Sequence, residues 1–187
     1  MSKKQIRIYI NAPITIAFAC ICILALALDY LTGGRSTVLI FSTYGSSFLD
    51  PLAYIRLVCH IFGHANINHL VSNMLYILLL GPILEEKYHD RLLTVIIAAA
   101  LVTGMVHNLL QPNVMLLGAS GVVFAFILLA SITGKEHGIP ITLILVAILW
   151  LGQEIYSGVT SSDNISQITH IIGGISGTAL GMFFKKK

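Results

Sequence analysis

The sequence predicts an all-α membrane protein: a bundle of six transmembrane helices, with a long, partly interfacial loop between spans one and two. The first observation is composition. Of 187 residues, 56% are hydrophobic and only 10% are charged, with a mean hydropathy of +0.88. A soluble domain carries roughly 25% charged residues. A chain with so few cannot solvate its own surface, so its apolar surface faces lipid. The second observation is length. Six apolar segments, each near the ~20 residues that cross a bilayer, nearly use up the chain as a single domain. The third is the distribution of charge, which comes after the spans.

Span one is Pro13–Leu31. The Lys3, Lys4 and Arg7 cluster before it, and Ala25-Leu26-Ala27 within it, imitate a secretory signal. The span-length run and the further spans behind it favour an uncleaved helix. Thr32 to about Ile67 is the one long connection. It carries Gly33-Gly34, Asp50-Pro51 and apolar stretches such as Phe48–Tyr54, which suit the membrane interface. Spans two to six are Asn68–Leu84, Leu92–Leu110, Leu117–Thr133, Ile139–Tyr156 and Ile165–Phe184.

Six spans put both termini on one side. That side holds Lys3, Lys4, Arg7, Lys87, Arg91, Lys135 and Lys185 to Lys187, nine of the eleven basic residues; the other side holds Arg35 and Arg56. Excess Lys and Arg mark the cytoplasmic side, so both termini are expected there. The net charge of +3, concentrated at the ends, lacks the broad basic face of a nucleic-acid binder. Cys20, Cys22 and Cys59 form no disulfide or metal framework and read as small buried residues.

Polar residues inside a membrane are costly and mark function. The second span opens with His60, His64, His69 and Asn73. The fourth opens with Gly118-Ala119-Ser120-Gly121. The sixth opens with His170, followed by Gly173, Gly174, Gly177 and Gly181. These three spans all run inward from the outer side, so His69, Ser120 and His170 lie at similar depth. His170 and the glycines recur at helical spacing and share a face. Small residues at that spacing let helix backbones approach closely. Gly118, Gly121 and Ala125 offer a matching face on the fourth span.

Two helices packed through such faces bring Ser120 within reach of His170. Ordinary packing glycines beside a satisfied polar histidine would look the same. A serine hydroxyl needs a base to become a nucleophile, and histidine suits that role near neutral pH. Helix N-terminal N–H groups around Ser120 can donate to an oxyanion. His69 and Asn73, four residues apart, can donate to the same oxyanion.

The spaced set of His60, His64, His69 and Asn73, then Gly118-Ala119-Ser120-Gly121, then His170, Gly173 and Gly177 resembles the rhomboid intramembrane serine proteases over essentially the whole chain. The resemblance implies the minimal six-span form common in prokaryotes, in a bacterial plasma membrane. It implies Ser120 as nucleophile and His170 as base, with His69, Asn73 and the Ser120 N–H at the oxyanion. By the same resemblance Gly118 is the glycine two before the serine, and Arg56 the arginine of the first loop. Gly81 and Glu85 are a structural pair after span two, and Gly173 and Gly177 are close-packing glycines. No cofactor or metal is implied. Substrates would be single-span or multi-span membrane proteins, reached laterally past the first loop and span five, with water entering through a cavity open to the outside.

Three positions depart from the family pattern. Ile55 precedes Arg56 where tryptophan is frequent. Phe124 stands where many bacterial members have tyrosine, and His89 stands where glycine is frequent. Two other functions compete. One is a histidine metal site built on His60, His64 and His69, although the H-E-x-x-H pattern is absent. The other is a non-catalytic relative that binds membrane clients. His107, Asn108, Asp29 and Glu154 read as interfacial, capped or snorkelling groups. Trp150 and Tyr156 suit an aromatic belt. His89 and His137 read as cytoplasmic loop residues, and Lys185–Lys187 as a topology anchor.

Overall fold

The structure, a computed structural model, describes residues 9–47, 49–133, 141–161 and 164–184. Within these it omits the side chains of residues 132, 133, 143, 154, 155, 157–161 and 164–168. Lys3, Lys4, Arg7, Phe48, Lys135, His137 and Lys185–Lys187 lie outside the described residues, and so does the Glu154 side chain.

Among the described residues, seven α-helices carry the fold: α1 (Pro13–Thr32), α2 (Pro51–Cys59), α3 (Ile67–Tyr88), α4 (Arg91–Leu110), α5 (Ser120–Thr133), α6 (Ile141–Ser161) and α7 (Asn164–Phe184). No strand is present among the described residues; Thr43 and Leu116 form one isolated antiparallel bridge. α1, α3 and α4 are each long and apolar enough to cross a membrane. α5, α6 and α7 hold shorter apolar stretches, Ser120–Ser131, Ile144–Gln153 and Thr169–Phe184. Large apolar side chains such as Leu24, Leu31, Leu75, Leu79 and Leu149 point outward, as a lipid-facing surface requires. This is an integral membrane protein.

The long first connection is more regular than a loop. It contains a π-helical turn (Thr37–Phe41), α2, and a 3-10 turn (His60–Phe62). Asp50 begins α2 by accepting the Leu52 N–H at 3.0 Å, and Pro51 follows at the first helical position, where its missing donor costs nothing. His60 and His64 therefore belong to this connection, ahead of α3, and do not open the second span. α3 is capped instead by Asn66, whose side chain accepts the His69 N–H at 2.9 Å. Asp29, near the end of α1, accepts the Thr37 N–H of the π-helical turn at 3.3 Å. Cys20 is exposed, contrary to the expectation of a buried thiol, while Cys22 is buried.

α3 runs through Gly81 and Glu85 to Tyr88, so this pair lies inside the helix and not after it. Its purpose there is visible. The N-cap of α1, Ala12, has no side chain that could accept a hydrogen bond. The Glu85 carboxylate does that work from another helix, accepting Ile14 N–H at 2.7 Å, Thr15 N–H at 2.9 Å and the Thr15 hydroxyl at 2.8 Å. Negative charge at a helix N-terminus is favourable, and the burial of Glu85 strengthens the interaction. Gly81 makes room for it: a Cβ there would come within 2.5 Å of Thr15 Cγ2. His89, which ends α3, has a φ of +50°. That backbone region favours glycine, which accounts for glycine being frequent at this place in the family pattern.

α7 lies in the angle between α4 and α5 and packs along both. A Cβ on Gly177 would meet Ala125 of α5 and Ala99 of α4, each at 3.1 Å. Gly181 seats on Leu129. α5 is buried on nearly every side from Ser120 to Leu129, making it the centre of the bundle.

Replacing Glu85 with alanine is expected to strip the α1 N-terminus of its acceptor and lower stability by about 3 kcal/mol. Glu86→Ala, at the exposed neighbour, should leave it unchanged. Thermal unfolding in detergent distinguishes the two.

Candidate active site

Ser120 is the first residue of α5, so its N–H and those of the next turn have no intrahelical carbonyl to bind. The segment before it is held open by Gly118, whose φ of +124° is rarely adopted by residues with a side chain. Gly118 N–H donates to His60 O at 3.0 Å. Thr43 and Leu116 exchange two backbone bonds of 2.9 Å, and Gly45 N–H donates to Pro112 O at 2.8 Å. The first connection is thus stitched to the segment that presents Ser120.

The hydroxyl of Ser120 lies 3.0 Å from both ring nitrogens of His170. Proton transfer needs one nitrogen lone pair in line, which a small turn of the imidazole supplies. Both residues are buried, Ser120 wholly so. His69 is close by. A Cβ on Gly118 would come within 2.8 Å of its Cε1 and Nε2. Its Nδ1 accepts the Ala65 N–H at 3.5 Å, so in the neutral ring the proton sits on Nε2, the atom beside Gly118. Asn73 is buried, and one of its amide hydrogens bonds His69 O at 3.1 Å; its amide carries a second donor.

The other predicted residues take supporting places. Arg56 is buried in α2, pairs with Asp50, donates to Ser46 Oγ at 2.9 Å and covers the Tyr44 ring at 4.6 Å. His60 Nδ1 donates to Arg56 O at 3.3 Å, and His64 Nδ1 to Phe62 O at 3.1 Å. The His64 ring meets His69 edge-on at 5.0 Å. Among the described residues, no three His, Cys, Asp or Glu side chains are grouped so as to hold a metal ion.

Several expectations change. Gly121 does not face α7: a Cβ there would meet Thr103 of α4 at 2.8 Å. Gly173 also faces Thr103, while Gly174 faces Phe124. Trp150 is no belt residue. It is buried and stacks on Phe124 at 4.9 Å, with the rings 10° apart; Tyr156 is exposed. His107 and Asn108 are both hydrogen-bonded within the protein. His107 is wholly buried and donates from Nε2 to Val114 O at 3.0 Å. Asn108 shares two hydrogen bonds with Thr43 Oγ1, at 2.9 and 3.2 Å. A cleft of about 340 Å³ between the first connection and α4, lined by Tyr44, Tyr54, Leu57, Met105 and Asn108 among others, touches neither Ser120 nor His170.

Residues 51–187 match the Rhomboid domain. The chain belongs to the rhomboid family. This rhomboid is 30% identical over 146 residues to Rhomboid protease GlpG of Yersinia pseudotuberculosis, covering 74% of the chain and 51% of that protein. It is 29% identical over 137 residues to Rhomboid-related protein 1 of Caenorhabditis elegans, covering 67% and 38%. Rhomboid-like protease 3 of Toxoplasma gondii is 30% identical over 121 residues, covering 64% and 45%. The chain spans about half or less of the length of these curated relatives. α1 lies before the matched domain, yet Glu85 binds it to the rest.

Sequence reading missed Thr43, Leu116 and Thr103. Thr43 and Leu116 act through backbone groups, which every residue carries. Thr103 had one available signal, a polar side chain in mid-span.

The hydrogen bond from Arg56, above all, holds the Asp50 carboxyl below its ordinary value of 3.8. A group depressed in the folded state contributes its full stability above the unfolded value and loses it as pH falls through the folded one. The first connection of this rhomboid should therefore loosen only below about pH 3.8. Asp50→Asn should remove that acid dependence, as read by limited proteolysis across the range.

Proposed function

We propose that this rhomboid is an intramembrane serine endopeptidase that cleaves transmembrane segments of other membrane proteins through Ser120 and His170. The observation that carries the reading is the 3.0 Å approach of Ser120 Oγ to the His170 ring across fifty residues of sequence. Ser120 Oγ attacks a peptide carbonyl as His170 takes the hydroxyl proton. The negative oxygen is met by the Ser120 N–H, His69 Nε2–H and the second Asn73 N–H. His170 then gives its proton to the leaving amine, and water hydrolyses the acyl-enzyme. No cofactor is required by these steps. Because the hydroxyl is wholly buried, a path for substrate and water must open before attack.

The proposal extends to topology. Six spans, with both termini in the cytoplasm of a bacterium and the chain in its plasma membrane, put the first turns of α3, α5 and α7 on the outer side. The substrates are then single-span or multi-span proteins cut near the outer ends of their helices.

The test is reconstitution in proteoliposomes with a single-span substrate. Ser120→Ala and His170→Ala should each abolish cleavage while the protein still folds. Cleavage that survives either change sinks the reading, and a folded parent that neither cleaves nor reacts with a serine-directed phosphonate is a client-binding relative instead. Asn73→Ala should retain cleavage but lower kcat by about a hundredfold, the usual loss for one oxyanion donor.

A further inference from the structure

α4 supplies no group to the proposed reaction, yet one of its side chains lies between the helices that carry Ser120 and His170. Thr103 is 2% exposed, and its hydroxyl has no hydrogen-bond partner among the described residues. A Cβ on Gly121 would come within 2.8 Å of Thr103 Oγ1, and a Cβ on Gly173 within 1.6 Å. Gly121 follows Ser120, and Gly173 lies one turn after His170. One oxygen thus fills the space that two absent side chains leave. The glycine hydrogens standing in place of those Cβ atoms point at it.

A buried hydroxyl without a partner costs free energy. Valine is close to threonine in size and removes that cost. A methyl group, however, is larger than an oxygen and cannot accept the weak Cα–H contacts that recur where helices pack closely.

We propose that Thr103 is a positioning residue whose hydroxyl oxygen sets the spacing of α5 and α7, and through it the approach of Ser120 to His170. This rests on the endopeptidase reading. Thr103 touches neither substrate nor reacting atom; it acts through the backbones of Gly121 and Gly173.

The experiment compares the full-length parent with Thr103→Val and Thr103→Ser in proteoliposomes. It reads kcat, KM, melting temperature and the rate at which a fluorophosphonate labels Ser120. Thr103→Val should fold with a melting temperature near the parent's, the lost polar penalty offsetting the tighter fit, and keep KM. Its kcat and labelling rate should both fall by about tenfold or more, the pattern of an interaction that matters only in the transition state. Thr103→Ser keeps the oxygen and should stay within about threefold of the parent. The inference is overturned by a Thr103→Val protein with parental kcat, by one that no longer folds, or by Thr103→Ser being as slow as Thr103→Val. A parent that is itself inactive and unlabelled defeats the endopeptidase reading, and this inference with it.

Discussion

Helices in lipid gain little from hiding apolar surface from one another, because lipid tails are equally apolar. Their association depends on close van der Waals contact. The structure is organised around that constraint. α7 carries Gly173, Gly174, Gly177 and Gly181, and each receives a side chain from α4 or α5: Thr103, Phe124, Ala125 with Ala99, and Leu129. Because α7 carries His170 and α5 begins with Ser120, the same contacts that hold the bundle also determine whether the two groups meet. Packing and chemistry share one seam.

The nucleophile sits at a helix start, where the chain must leave a loop without frayed donors. The fold meets this by laying the first connection against the segment that precedes Ser120. Thr43 pairs with Leu116, Gly45 with Pro112 and His60 O with Gly118 N–H. Arg56 then secures the connection from within through Asp50, Ser46 and Tyr44. Glu85 performs the corresponding service for α1. Glu85 thereby satisfies backbone N–H groups that the membrane would leave unpaired.

The candidate site residues stood out in the sequence because each is an expensive polar group in an apolar stretch, and the fold brings Ser120, His170 and His69 near one another. The helix positions were legible to within a few residues, apart from α2 and the short turns. Those hide in a segment whose composition is neither clearly apolar nor clearly polar. What could not be read was direction. Helical spacing shows that Gly121 and Ala125 share a side of α5, but not that one faces α4 and the other α7. Burial was equally hidden. Trp150, Cys20 and His107 each carry a side chain suited to more than one environment, and only the neighbours decide. His89 is the reverse case, since its positive φ is a backbone property that an alignment-free reading cannot assign.

Phe124 shows how one departure from a family pattern can be coupled to its surroundings. A buried tyrosine needs a partner for its hydroxyl. Here the ring is pressed from one side by Trp150, nearly parallel at 4.9 Å. The helix that would crowd it presents Gly174, where a Cβ would approach Phe124 Cδ1 to 2.4 Å. Phenylalanine suits this slot because Trp150 offers it an aromatic face and Gly174 offers it bare backbone. The stack also ties α6 to α5 through aromatic faces alone. The ring without a hydroxyl keeps its close seat on Gly174 and carries the contact to α6. The Phe124–Trp150 pair, rather than Phe124 alone, is the unit by which this chain departs from the pattern.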